Sequence, residues 1–187
     1  EWVLCSACEQ LRAWDRAGLP GLRMSVNVSP AQFRDPDFVG MARRCILGYG
    51  IDPGRIELEI TESMALTDME AVVDTLRRMR DFGVGIAVDD FGSGFSSLGH
   101  LQRLPLNRLK IDGSFVADLS AGSSGATIAE MIVRLGHMLG LSVIAEGVEA
   151  REQLDALRRM GCQEIQGFYF SPPVPADEFP ALLGKAL

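Results

Sequence analysis

The sequence predicts an α/β fold of parallel strands joined by crossover helices, on three observations. Short runs rich in β-branched residues alternate with longer stretches whose apolar residues recur at helical spacing. Glycines stand where those helices would end. Charged or amide residues stand near the C-terminal ends of the strands. About six such units are visible, with strand candidates at 24–28, 55–61, 84–89, 108–111, 142–146 and 164–170.

The opening run Glu1-Trp2-Val3-Leu4 reads as the middle of an amphipathic helix with no capping residue before it, so a strand or two is expected upstream. Strand 24–28 isolates Asn27 between Val26 and Val28. In strand 55–61, alternation puts Ile56, Leu58 and Ile60 on one face and Glu57, Glu59 and Thr61 on the other. Residues 68–82 carry a helical pattern closed by Gly83, and strand 84–89 then ends on Val88-Asp89. Strand 108–111 sets Lys110 between Leu109 and Ile111. Helix 125–139 closes at Gly140, strand 142–146 carries Glu146 beyond Ile144, and helix 151–160 closes at Gly161 before the last strand. This alternation suits either an open doubly wound sheet or a closed eight-unit barrel. About six units fall short of the barrel's eight, as 187 residues fall short of its usual length of about 250.

With 47% of its residues apolar and no internal shift in composition, the chain is expected to form one domain, 1–187, around a substantial core. A formal charge of −7 and a pI near 4.9 argue against a nucleic acid polymer as partner, since that surface needs clustered Lys and Arg. An anionic ligand would need metal ions to meet it. No apolar run is long enough to span a membrane. Four cysteines and no signal-like N-terminus argue against a disulfide framework and for a reducing, cytoplasmic home. Cys5 and Cys8 form a C-x-x-C, the spacing of a redox pair or half a zinc site. Trp2, Val3, Leu4 and Leu11 surround them at helical spacing and no second ligand pair follows, so they read as packing residues. His137, among Met131, Ile132, Leu135 and Leu139, and the isolated His100 read as structural.

The polar strand ends carry the chemistry. In an antiparallel sheet with one wet face they would need no explanation, but the long helical connections point to parallel strands. Carboxylates converging inside such a fold repel one another unless cations or protons neutralise them. Oxygen ligands from Asp, Glu and Asn favour a hard cation, Mg²⁺ or Mn²⁺. Adjacent Asp89 and Asp90 can serve two ions, and paired ions suit in-line displacement at phosphorus. Lys110 would add positive charge or position the water, and Glu146 could accept its proton. The glycine-rich run 91–97 lacks the Lys of a Walker loop and the third glycine of a dinucleotide fingerprint. It reads as a lid or coupling loop.

Six segments, in order, carry a family resemblance: Asn27-Val28-Ser29 with Gln32-Phe33; Glu59-Ile60-Thr61-Glu62-Ser63; Asp89-Asp90-Phe91-Gly92-Ser93-Gly94-Phe95-Ser96-Ser97-Leu98; Leu109-Lys110-Ile111-Asp112; Ala145-Glu146-Gly147-Val148-Glu149; and Gln166-Gly167. Together they resemble the EAL-domain family of bacterial cyclic di-GMP phosphodiesterases. The resemblance implies a modified TIM-type (β/α)₈ barrel, N-terminally incomplete here, that hydrolyses cyclic di-GMP to linear pGpG with two Mg²⁺ or Mn²⁺ ions. It implies Asn27, Glu59 and Asp89 as ligands of one ion and Asp89 and Asp90 as ligands of the other. Glu146 corresponds to the acid serving the second ion and its water, Lys110 to the lysine beside that water, Gln166 to a substrate-lining residue and Glu62 to the glutamate that steadies the glycine-rich loop. A homodimer, and upstream sensory or GGDEF-type domains, are implied with it.

The Glu-Ala-Leu tripeptide that names the family does not occur ahead of Asn27, so the ligand set is expected to be one carboxylate short and this chain alone to turn over little. The alternative expectation is a non-catalytic cyclic di-GMP receptor. Ser93 and Phe95 stand for the family's usual Thr and Tyr, and Asn107 for a common Asp.

Overall fold

A computed structural model describes the chain except residues 63, 65–68, 95–97, 120–122 and 184–187. The chain divides into two compact units, one of residues 1–89 and 94–107, the other of residues 90–93 and 108–187.

The first unit opens on helix α1 (Trp2–Arg16), which buries Leu4, Ala7, Cys8, Leu11 and Trp14 along one face. Strand β1 (Met24–Asn27) leads into a single turn, α2 (Pro30–Phe33). Ser29 and Gln32 close a reciprocal capping box on that turn, with Pro30 at its first position. Helix α3 (Phe38–Gly48) precedes β2 (Ile56–Thr61), and α4 (Met69–Asp81) precedes β3 (Gly85–Phe91). A short α5 (Leu98–Leu101) follows. The strands β1, β2 and β3 pair in parallel, with Asn27 opposite Glu59 and Thr61 opposite Asp89. Ile56, Leu58 and Ile60 are each no more than 1% exposed, as the alternation in β2 requires. Arg55 ties the entry of β2 to what precedes β1: its Nε donates to the Leu22 carbonyl at 2.7 Å and its Nη1 to Asp15 Oδ2 at 2.8 Å. The guanidinium hydrogen bond holds the Asp15 carboxyl below the usual carboxylate range.

The second unit repeats the plan. β4 (Arg108–Ile111) is followed by the short α6 (Gly113–Ala117) and the long α7 (Ser124–Leu139). β5 (Ser142–Ala145), α8 (Arg151–Met160) and β6 (Glu164–Ile165) complete it. β4, β5 and β6 pair in parallel. Gly140 and Gly161 end α7 and α8 in the left-handed region, φ 69° and 86°, which a side chain would strain. Among the described residues, no helix is long and apolar enough to cross a membrane.

The structure corrects two expectations. The last strand does not run over 164–170: pairing stops at Ile165, because Gly167 packs its backbone onto Val148 where no Cβ fits, and the chain turns away. Cysteine usage is the second. Cys5 and Cys45 are joined in a disulfide between α1 and α3, their Cα atoms 5.4 Å apart and 40 residues apart in sequence. The C-x-x-C spacing conceals this, since the partner of Cys5 comes from a neighbouring helix that local spacing says nothing about. Cys8 instead faces inward, fully buried and outside any disulfide, where burial pushes its thiol up to about 11.

Candidate active site

In the first unit, β1 and β2 deliver their polar ends side by side. Asn27, the last residue of β1, is exposed and pairs in register with Glu59. The pairing is fixed one residue further on, where the Val28 N–H donates to the Glu59 carbonyl at 3.0 Å. Glu59 is only 7% exposed, although its neighbour Leu58 takes the fully buried place on the core side of β2. Glu62, just past β2, is 4% exposed, and its Oε2 accepts a hydrogen bond from the Gly94 backbone N–H at 3.3 Å. A Cβ on Gly94 would come to 3.0 Å from that carboxylate, so glycine is what allows the approach.

In the second unit, the chain turns sharply after Asp89. Asp90 has φ 53°, uncommon for a residue with a side chain, and Gly92 has φ 100°. Ser93 Oγ donates to the Asp90 carbonyl at 2.7 Å and closes the turn. A Cβ on Gly92 would lie 2.9 Å from the Phe115 ring and 3.0 Å from Ile132, so the turn sits tight on α6 and α7. Lys110, 4% exposed, holds its Nζ 2.7 Å from Glu146 Oε1. Glu146 lies one residue past β5, kept beside β4 by its backbone N–H donating to the Ile111 carbonyl at 3.2 Å. Asp90 and Glu146 each offer a carboxylate oxygen within 4.8 Å of the other. Carboxylate oxygens brought this close form an all-oxygen donor set that fits a hard divalent cation.

Gln166 follows β6. Its N–H donates to the Ala145 carbonyl at 2.8 Å and its carbonyl accepts from Val148 N–H at 3.0 Å. It lines a cavity of about 820 Å³ with Phe168, Tyr169 and Phe170. These aromatics give no separate signal in the sequence, where 164–170 reads as strand; in the structure Phe168 is 62% exposed. Asn107 does more than its place in the sequence suggests. Its Oδ1 accepts from Ile86 N–H at 3.0 Å and its own N–H donates to the Ile86 carbonyl at 2.9 Å, fixing the start of β3. Part of the glycine-rich run, residues 95–97, and Ser63 lie outside the described residues. His137 is exposed on the last turn of α7.

The family profile described as "EAL domain" matches residues 1–173. The chain belongs to the EAL domain family. Among curated relatives, it is 42% identical over 178 residues to the bifunctional diguanylate cyclase/cyclic di-GMP phosphodiesterase MucR of Pseudomonas aeruginosa, covering 95% of this chain and 26% of that protein. It is 39% identical over 186 residues to the oxygen sensor protein DosP of Escherichia coli, covering 100% of this chain and 23% of that one. The chain thus spans about a quarter of the length of these relatives. Among solved structures, the MucR phosphodiesterase in complex with c-di-GMP superposes with a TM-score of 0.91 at 42% identity, over 95% of this chain and 72% of that one. A manganese/cy-diGMP complex of Klebsiella pneumoniae BlrP1 superposes with a TM-score of 0.81 at 31% identity, over 92% and 44%. The fold class of this EAL domain is accordingly α/β of the modified (β/α)₈ type.

Proposed function

We propose that this EAL domain hydrolyses one phosphodiester of cyclic di-GMP to give linear pGpG. The observation that carries the reading is the buried Lys110 holding the half-buried Glu146 at 2.7 Å, with the Asp90 carboxylate close to Glu146, inside a family match over 1–173. Asn27, Glu59 and Asp89 would hold one Mg²⁺ or Mn²⁺ ion and Asp89 and Asp90 a second, with Glu146 serving the second. When bound, such ions supply Lewis-acid stabilisation of the attacking and departing oxygens.

The chain's own residues do the rest. Lys110, held by Glu146, keeps a positive charge at a fixed point beside the water and the phosphate oxygens. Glu146 is the acceptor for the proton that the water gives up. Gln166 and the aromatics of its cavity offer an amide and ring faces to a purine. Glu62, through Gly94, steadies the glycine-rich loop. A cytoplasmic homodimer with sensory or GGDEF-type domains upstream is the setting proposed for this chemistry.

Incubating the purified full-length protein with cyclic di-GMP and Mg²⁺ or Mn²⁺, and separating the nucleotides by chromatography, tests the proposal. The expected result is pGpG that vanishes on chelation. Cyclic di-GMP bound tightly without metal and never cut would replace the reading with the receptor alternative.

A further inference from the structure

We infer that Cys5 and Cys45 form a thiol–disulfide exchange site, opened and closed by low-molecular-weight thiols and disulfides such as glutathione. Three observations carry it. The two cysteines are bonded across α1 and α3 with Cα atoms 5.4 Å apart, inside the range a disulfide needs without moving the backbone. Access is uneven: Cys5 is half-buried while Cys45 is 6% exposed, so an incoming sulfur reaches Cys5 first. The third thiol nearby stands apart from the pair. Cys8 lies one turn along α1 from Cys5 but is fully buried and outside the disulfide, so an external thiol or disulfide does not reach it.

Closure proceeds in two exchanges. The Cys5 thiolate attacks oxidised glutathione, forming a mixed disulfide and releasing one glutathione thiolate. Cys45, deprotonated, then attacks Cys5 Sγ and releases the second glutathione, so the protein loses two electrons and two protons and glutathione gains them. Two molecules of reduced glutathione reverse both steps.

The position gives the bond a consequence. α1 leads into β1 and α3 leads into β2, the adjacent strands on which Asn27 and Glu59 stand in register. Closing the loop restricts the unfolded chain and resists separation of these two helix–strand pairs.

The test equilibrates the purified protein in glutathione buffers from fully reduced to fully oxidised, then alkylates free thiols in denaturant and maps them by mass spectrometry. The expected result is reversible loss of two alkylatable cysteines in oxidised buffer, with the peptide carrying Cys5 and Cys8 linked to the one carrying Cys45. Melting temperature should rise with the bond and fall when it opens. Cys8→Ala should switch like the parent, and Cys45→Ala should not switch. Full alkylation of Cys5 and Cys45 in every buffer, a bond that survives fully reduced buffer, or loss of switching in Cys8→Ala would each overturn the proposal.

Discussion

Two glutamates at strand ends are held in opposite ways. Glu62, in the first unit, answers a neutral backbone N–H of Gly94 at 3.3 Å, whereas Glu146, in the second, answers the Lys110 ammonium at 2.7 Å. Both have a part in the proposed phosphodiesterase reaction, yet the partners assign different work. A carboxylate on a backbone amide fixes a loop, and a neutral acceptor of the same shape could replace it. A carboxylate on a buried ammonium sets charge, and no neutral isostere reproduces that.

The largest expected effect follows from the charged pair. Glu146→Gln should lower turnover of cyclic di-GMP by about 10² to 10⁴, the usual worth of a positioned proton acceptor, with the fold intact by circular dichroism. Lys110→Met should lower turnover similarly and also cost about 2 kcal/mol in urea titrations, because it leaves a carboxylate without its ammonium. Equal turnover in Glu146→Gln and the parent would erase the distinction between the two glutamates.

The middle effect concerns the loop. Glu62→Ala should lower turnover about tenfold, near the value of one hydrogen bond, while Glu62→Gln should stay close to the parent because its amide oxygen still accepts from Gly94. If Gln behaves like Ala, Glu62 works through its charge and the comparison fails.

The smallest effect lies away from both. Asp15 has its carboxyl lowered by Arg55, so its contribution to stability is present above the ordinary carboxylate value of about pH 3.9 and is lost as pH falls through the lowered value. Asp15→Asn should therefore flatten the acid side of the stability curve and leave turnover at neutral pH unchanged. Thermal melts between about pH 3 and 7 read this directly.

Much of this is legible in the sequence. Period-two alternation in 56–61 and the isolated Asn27, Lys110 and Glu146 follow from strand geometry, because burial on one face forces the apolar residues into register. What local pattern does not carry is contact between distant segments. The Cys5–Cys45 bond depends on how α1 and α3 pack, and the early end of β6 depends on Gly167 meeting Val148. Asn107 reads in sequence as a weakened Asp, whereas in the fold its amide closes the start of β3 on Ile86.

The most direct test of the central claim is a count of bound Mn²⁺ by the paramagnetic resonance of the free ion, in full-length protein with cyclic di-GMP present. The expected result is two ions per chain in the parent and one fewer in Asp90→Asn. No bound Mn²⁺, or the same count in both proteins, would contradict it.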